Sequence, residues 1–274
     1  MPDVGQPVFS LNSVANVPTG AQILAALPQS NTIRQIAPDL KSPMMVQGAF
    51  GMERQLPWKT TMSATFVSSR TYNVLRSRNI NAPICPDLSD CSSAPRPDPT
   101  AGAIYQYEST GTLDQNRLSV NVRNMSSRRF SLFANYNLGF SRSTSDGSGS
   151  FPAYSYDLGD EWGRSSSDVR HNFVVGGNIN APWGFSFSPF IMLNSGRPFN
   201  ITTGQDLNGD LQFNERPTFG QLGAACTSHN VSASWCDVSG EDANQIIPRN
   251  WGQSPSSFTV NMRVSRNFGF GKTA

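Results

Sequence analysis

The sequence predicts an all-β fold, and three observations narrow it to strands that cross a membrane. Apolar and polar residues alternate over long segments, the connections between these segments are short and long in turn, and tryptophans stand in two of the short connections. Charged residues make up only 15% of the 274 residues, while 23 glycines and 19 prolines disfavour long helices.

The alternation is clearest between Phe130 and Phe140, where every even position is apolar and the odd positions are mostly polar. A period of two residues is the pattern of a β-strand with one apolar face. The same pattern predicts seven strands, several of which match the roughly 9–11 residues that cross a bilayer at a tilt. They cover about 44–56, 60–70, 116–124, 130–142, 169–180, 185–195 and 257–268.

The connections between the predicted strands alternate in length. Short connections at 57–59, 125–129 and 181–184 are followed by long ones at 71–115, 143–168 and 196–256. Outer-membrane barrels have tight periplasmic turns on one side and long extracellular loops on the other. The order of lengths therefore predicts a barrel wall, because a soluble sandwich has no reason to place every long loop at one end, although it can.

Two of the short turns share a tryptophan, in Leu56-Pro57-Trp58-Lys59 and in Ala181-Pro182-Trp183-Gly184. An amphipathic indole ring is favoured at the level of the lipid headgroups. A tryptophan that covers the end of a soluble core is the other interpretation of each turn taken alone.

Hydropathy and charge exclude other classes of protein. No stretch approaches the roughly 18 apolar residues of a membrane helix, and the first residues have neither the basic start nor the apolar core of a secretory signal. The net charge of +2 is spread over single residues without a basic run, so we expect no nucleic acid partner.

The pattern divides the chain into three parts. Residues 1–43 are predicted to be a loop segment, with one or two helical turns at 21–27. Residues 44–270 are predicted to be a partial β-barrel, and residues 271–274 a truncated turn.

Four cysteines, Cys85, Cys91, Cys226 and Cys236, form two local pairs in loops rich in Pro, Ser and Asp. Three connectivities are possible, and pairing within each loop is the simplest. Disulfides indicate an oxidising compartment. Four free thiols are the alternative, whereas the spacing of a zinc site is absent.

Asp206, Asn208 and Asp210 have the spacing of a calcium loop, in which several oxygen ligands come from one short segment. Asn214 and Glu215 could add further oxygens. The sequence departs from the EF-hand pattern, because Leu211 replaces its glycine and Pro217 its final glutamate. A turn stabilised by Asx side chains, which Asn208-Gly209 favours, is the alternative.

No catalytic site is predicted. Asp168, Arg170 and His171 form a charged cluster at the start of a strand, but the second histidine of the chain, His229, belongs to another loop. A hydrolytic site needs a nucleophile, a histidine and an acid close together. We interpret the cluster as a polar network at the barrel wall, with Asp168 and Arg170 paired.

Several short motifs, taken in order, resemble the barrel of TonB-dependent receptors of the Oar-like group. The resemblance covers about residues 30–270. The motifs are Arg54-Gln55-Leu56-Pro57-Trp58, residues 75–83, Asp168 to Val175, Ala181 to Gly184, Ser195 to Phe199, Asp206 to Asp210 and Asn214 to Pro217.

The resemblance implies a barrel of about 22 strands, closed by an N-terminal plug and energised by TonB. It implies uptake of a scarce solute such as a metal chelate or a glycan, with outer-membrane lipid, the plug and TonB as partners. Seven strands cannot close such a barrel, and an open edge is not tolerated in lipid. We therefore expect an internal fragment, from the C-terminal half of the barrel, that lacks the plug.

The sequence thus predicts an antiparallel transmembrane β-barrel fragment in the outer membrane of a Gram-negative bacterium. A secreted β-sandwich that binds glycan or protein through its loops is the alternative. The two differ in the fate of the apolar faces, because a sandwich buries them against a second sheet. A barrel turns them towards lipid.

Overall fold

The computed structural model describes residues 32–85, 91, 94–127 and 129–268, and it has the predicted fold class. Seven long strands dominate it: β2 (Met44–Leu56), β3 (Thr60–Asn79), β4 (Ile104–Ser127), β5 (Phe130–Ser143), β7 (His171–Asn180), β8 (Phe185–Asn194) and β11 (Ser257–Arg266). Four short strands complete the set: β1 (Ile33–Ile36), β6 (Gly163–Arg164), β9 (Pro198–Phe199) and β10 (Gly252–Gln253). Within the described residues, no helix is long and apolar enough to cross a membrane.

The seven long strands form one antiparallel sheet in the order β11-β8-β7-β5-β4-β3-β2. Each strand therefore pairs with its neighbours in sequence, as in an up-and-down barrel wall. β2 and β11 lie at opposite ends of the sheet, so the described sheet is open. The short turns lie along one end of the strands and the long loops along the other, as the alternation of connection lengths predicts.

The register aligns like residues into rows across the sheet. One row of the apolar face contains Val122, Ala134, Val175 and Ile191, which pair from strand to strand. These rows are not covered by protein, because the described part of the chain holds one nine-stranded sheet, one two-stranded ribbon and no second layer over the apolar face. Phe50 is 76% exposed and Phe258 is 65% exposed. The β-sandwich alternative is therefore not supported.

β3 and β4 run further than their alternation predicts. β3 continues to Asn79 rather than about residue 70, and β4 begins at Ile104 rather than about 116. These 20- and 24-residue strands exceed the length that a bilayer requires, so their ends extend into the loops. There both faces contact loop residues, and the sequence loses its apolar stripe.

β1 corrects the prediction that residues 1–43 are all loop. Ile33–Ile36 pairs in parallel with β4 from Ile104 to Tyr107. This edge of β4 is free because its pairing with β5 starts only at Leu113. The helical turns predicted at 21–27 and the turn predicted at 271–274 lie outside the described residues.

The described residues of the long connections fold together into a structured layer, which we call the loop cap (residues 80–85, 91, 94–103, 144–170 and 195–256). Its only long helix among the described residues is α1 (Phe219–Ser228), and the sequence analysis missed it. Thr218 and Gln221 form a reciprocal capping box at its start, a signal that the sequence does carry. Phe219, Leu222, Cys226 and Ile247 form a small apolar core.

Candidate functional site

The polar face of the sheet carries a row of amide and hydroxyl side chains, which we call the lumen ladder. It runs across five neighbouring strands, β4, β5, β7, β8 and β11. Its members are Ser119, Asn121, Asn135, Asn137, Asn172, Asn194 and Ser257. They face the same side because the register pairs them directly across the strands.

Hydrogen bonds link the lumen ladder from β4 to β11. The Ser119 hydroxyl donates to Asn137 Oδ1 (2.6 Å), and Asn137 Nδ2 donates to Asn172 Oδ1 (3.2 Å). Asn172 Nδ2 donates in turn to Asn194, whose Nδ2 donates to Ser257 Oγ (3.3 Å). Asn137, Asn172 and Asn194 each donate and accept, so the row is a continuous polar surface that can exchange hydrogen bonds with water or a solute.

A groove of about 1000 Å³ lies over the polar face of the sheet, next to the loop cap. Its lining combines apolar residues such as Val67 and Phe140 with polar ones. The polar residues include Gln47, Gln115, Arg117, Asn137, Asn172, Arg197 and Asp168, whose carboxylate pairs with Arg164 and Arg170. Two guanidinium groups beside neutral amides suit a polar or anionic solute rather than an apolar one.

A second cluster lies in the loop cap, in a segment that we call the acidic loop (residues 206–215). One carboxylate oxygen from each of Asp206, Asp210 and Glu215 lies within 4.8 Å of the other two. Asp206 Oδ1 accepts from the Asp210 N–H (3.0 Å) and Asp206 Oδ2 from the Leu211 N–H (3.0 Å). The chain thus wraps around the first carboxylate and brings the other two to it.

Asn208 and Asn214 tie the acidic loop to the neighbouring loop. Asn208 Oδ1 accepts from the Asp210 N–H (2.9 Å), and its Nδ2 donates to the Ala153 carbonyl (2.7 Å). Asn214 Nδ2 donates to the carbonyls of Phe151 and Pro152 (both 3.0 Å). Asn208 therefore shapes the turn, while Asn214 Oδ1 is buried without a hydrogen-bond partner.

Leu211 has the backbone conformation that the EF-hand pattern assigns to glycine. Its φ is 68°, in the left-handed region, and the φ of Gly209, two residues earlier, is 72°. Leu211 therefore adopts at this position the left-handed conformation that glycine has in the calcium-loop pattern. At the end of the loop, Glu215 supplies a carboxylate two residues before Pro217.

Burial perturbs the acids of this loop. Asp210 is completely buried, and desolvation raises its pKa to about 7, with the charges of Glu215 and Asp206 adding to the rise. Burial also raises the pKa of Glu215. The backbone N–H groups of Glu215, Asn208 and Leu207 oppose this rise, although none of them forms a hydrogen bond of normal geometry with that carboxylate.

A comparison with known protein families shows to which family the chain belongs. The outer membrane beta barrel domain matches residues 2–274. The chain belongs to this family. No curated protein matches it in sequence.

A solved structure has the same fold as this barrel domain: the outer membrane transporter YddB from Escherichia coli, at a TM-score of 0.50 and 12% identity. The match covers 86% of this chain and 27% of the transporter chain. At this identity the likeness concerns the fold alone. Together with the family, it places the barrel domain in the bacterial outer membrane.

The charged cluster at the start of β7 is a structural network of the barrel domain. Asp168 Oδ2 pairs with Arg164 Nε (2.9 Å) and with Arg170 Nη2 (3.1 Å), and Asp168 Oδ1 accepts from the Ser141 N–H (2.9 Å). His171 Nδ1 forms a hydrogen bond with the Tyr136 hydroxyl (2.8 Å). Asp168 thus joins the 144–170 loop to the end of β5.

Both cysteine pairs of the barrel domain are disulfides within single loops, as the simplest pairing predicts. Cys85 is bonded to Cys91, and Cys226 is bonded to Cys236. The second bond connects α1 to the turn at Ser234–Cys236. No free cysteine is found among the described residues.

Proposed function

We propose that the barrel domain is part of a TonB-dependent outer-membrane receptor that imports a scarce solute. The lumen ladder is the observation that carries this proposal. It lines the polar side of a sheet whose other face is apolar and uncovered, as expected of a wall between lipid and a wet passage. The motifs that resemble Oar-like receptors, and the transporter-like fold, add support.

The side chains of the groove suggest the chemistry of the solute. Asn and Gln amides with two arginines favour a hydrogen-bonding solute, such as a sugar or an anionic metal chelate, over an apolar one. The loop cap stands on the side of the long loops, where a solute would first be captured. We propose outer-membrane lipid, the receptor's own plug and TonB as the partners of the barrel domain. We propose neither a catalytic role nor a nucleic acid partner.

Growth under nutrient limitation tests this function. A strain with the gene disrupted and a strain without TonB are compared on a panel of ferric siderophores, cobalamin and soluble oligosaccharides as limiting nutrients. We expect one nutrient on which both strains fail. A plasmid copy of the gene should restore growth in the first strain but not in the second.

Two results would contradict the proposal. The disrupted strain could grow as well as its parent on the whole panel, which removes the uptake role. Alternatively, the plasmid copy could restore growth in the absence of TonB, which leaves a passive channel instead of an energised receptor.

A further inference from the structure

The acidic loop contains three buried carboxylate oxygens, on Asp210 and Glu215, that form no hydrogen bond of normal geometry. Asp210 Oδ2 and both carboxylate oxygens of Glu215 are buried without a hydrogen-bond partner. Asp210 is 0% exposed and Glu215 is 7% exposed. A buried polar atom without a partner costs about 1–3 kcal/mol, and more when it is charged, so three such atoms at one point indicate that a ligand satisfies them.

The charge of this cluster is not balanced by the protein. None of the six ion pairs found in residues 32–85, 91, 94–127 and 129–268 involves Asp206, Asp210 or Glu215. Arg96, the guanidinium that reaches the loop, donates to the Gly209 carbonyl (2.6 Å) rather than to a carboxylate. Buried charges in proteins are paired or coordinate metals. The charge of the cluster is therefore neutralised either by protons or by a bound cation.

We propose that the acidic loop binds a calcium ion through Asp206, Asp210 and Glu215. Calcium bonds to oxygen are 2.3–2.6 Å long, so ligand oxygens around one ion lie no more than about 5 Å apart. The 4.8 Å limit within which these carboxylate oxygens lie meets that condition. The buried Oδ1 of Asn214, next to Glu215, is a further candidate oxygen.

The chemistry of the site favours calcium over other cations. All candidate ligands are oxygens, which suit hard cations and not zinc or copper. Magnesium retains several of its waters and is seldom held by an all-protein cage. Calcium accepts six to eight oxygens in a flexible arrangement, which the carboxylates of one short loop can provide.

The position of the site gives the ion a structural role in the loop cap. Asn79, at the end of β3, donates to the Asp210 carbonyl (2.9 Å), and Arg96 from the first long loop donates to Gly209. Asn208 contacts Ala153 in the second long loop. The acidic loop itself belongs to the third. Calcium bound here stabilises the junction of all three long loops, and this role does not depend on which solute the barrel transports.

Terbium luminescence and calorimetry test the site on the protein extracted from outer membranes in detergent. Tb³⁺ replaces Ca²⁺ in oxygen sites and is sensitised by nearby aromatic rings. The Tyr105 hydroxyl accepts from Gln212 Nε2 (2.9 Å), which places a ring beside the loop. We expect saturable Tb³⁺ emission that Ca²⁺ displaces and that an equal concentration of Mg²⁺ does not.

Three variants separate the ligands from the rest of the loop. Asp210→Asn and Glu215→Gln keep the shape of each side chain and remove one charge, and each should weaken Ca²⁺ binding by more than about tenfold, a loss seen even for residues outside the coordination sphere. Asp242→Asn makes the same change at an exposed turn of the same long loop, where Asp242 Oδ1 accepts from the Asn244 N–H (2.9 Å). It should bind calcium as the parent does.

Protease protection of the loop cap provides a second measurement that does not require tight binding. Calcium should slow cleavage in all three long loops of the parent and of Asp242→Asn, and should have no effect on Asp210→Asn. The proposal is overturned if neither Ca²⁺ nor Tb³⁺ binds at millimolar concentration, which would mean that protons neutralise the acids. Binding of Mg²⁺ as tight as that of Ca²⁺, or undiminished binding by both Asp210→Asn and Glu215→Gln, overturns it equally.

Discussion

Single residues control where the loop cap meets the strands. Gly196 follows β8, and a β-carbon built on it would lie 1.6 Å from the Ser254 carbonyl oxygen. The two segments are held together there by the Ser254 N–H, which donates to the Arg197 carbonyl (2.9 Å). Only glycine allows this approach of two backbones. This explains why a glycine follows Ser195 in the Ser195-Gly196-Arg197-Pro198-Phe199 motif.

Gly196→Ala should therefore destabilise the protein by about 1–3 kcal/mol, the usual cost of adding a methyl group where there is no space. Urea unfolding in detergent, followed by the heat-dependent shift on gels, measures the loss. Gly149→Ala is the matched control, because its β-carbon would meet nothing within 4 Å. Equal stability of both variants would show that the segments can separate without cost.

A buried ion pair holds a second junction of the loop cap. Arg216 Nη1 lies 2.9 Å from Glu161 Oε1, and both side chains are almost fully buried. Arg216 Nε also donates to the Ile247 carbonyl (3.1 Å), and Glu161 Oε1 accepts from the Ala153 N–H (3.0 Å). The pair connects two long loops at the edge of the small apolar core.

Arg216→Met should destabilise the loop cap by about 3–5 kcal/mol, because it removes the guanidinium that hydrogen-bonds the buried Glu161 carboxylate. The double variant Arg216→Met with Glu161→Gln should recover part of this loss, since no unpaired charge remains. Hydrogen exchange of the α1 amides measures the local stability. If the double variant is as unstable as the single one, packing of the guanidinium, rather than its charge, is what matters.

At the scale of elements, alternation predicts the strands only where one face contacts lipid. All seven long strands were predicted from this pattern, with β5 predicted at 130–142 and found at Phe130–Ser143. Beyond the bilayer, the ends of β3 and β4 contact loops on both faces, so the pattern has no period there to detect. Arg76 and Asn79 are buried in that region although they are polar.

The structure of the loop cap, too, could be predicted from the sequence only in part. The core of Phe219, Leu222 and Ile247 depends on contacts between residues distant in sequence, which local patterns do not encode. The acidic loop was predictable in part, because the spacing of Asp206 and Asp210 is local. The Asx turn that Asn208-Gly209 predicts is present as well, because Asn208 Oδ1 accepts from the Asp210 N–H. The contacts of Asn208 and Asn214 with residues 151–153 could not be predicted, since they follow from the path of the folded chain.

A charged side chain should destabilise the protein on the apolar face of β7 and should be tolerated on its polar face. Val175 pairs with Ala134 and Ile191 on the apolar face, while the adjacent Val174 pairs with Asn135 on the polar face. Val175→Arg should cost about 2–4 kcal/mol, as for arginine at the bilayer midplane. Val174→Arg should be tolerated, because its guanidinium reaches water. Urea unfolding in lipid vesicles measures both, and a larger loss for Val174→Arg would reverse the assignment of the faces.

At the scale of the whole molecule, the fold requires lipid or detergent to cover its apolar face. The terminal strands β2 and β11 are especially bare, with Met52 64% exposed and Met262 57% exposed. Soluble proteins rarely leave contiguous apolar patches of this kind uncovered. Trp58 and Trp183, at 84% and 82% exposed, mark the end of the strands that carries the short turns.

The isolated 274-residue chain should therefore need detergent to stay dispersed. Diluted from denaturant into buffer, it should aggregate, because open strand edges and an apolar face can associate between chains. Diluted into detergent micelles, it should give a soluble species with the circular dichroism of β-structure. Size-exclusion chromatography and circular dichroism compare the two conditions. A monodisperse chain that melts cooperatively in plain buffer would mean that protein, rather than lipid, covers the apolar rows.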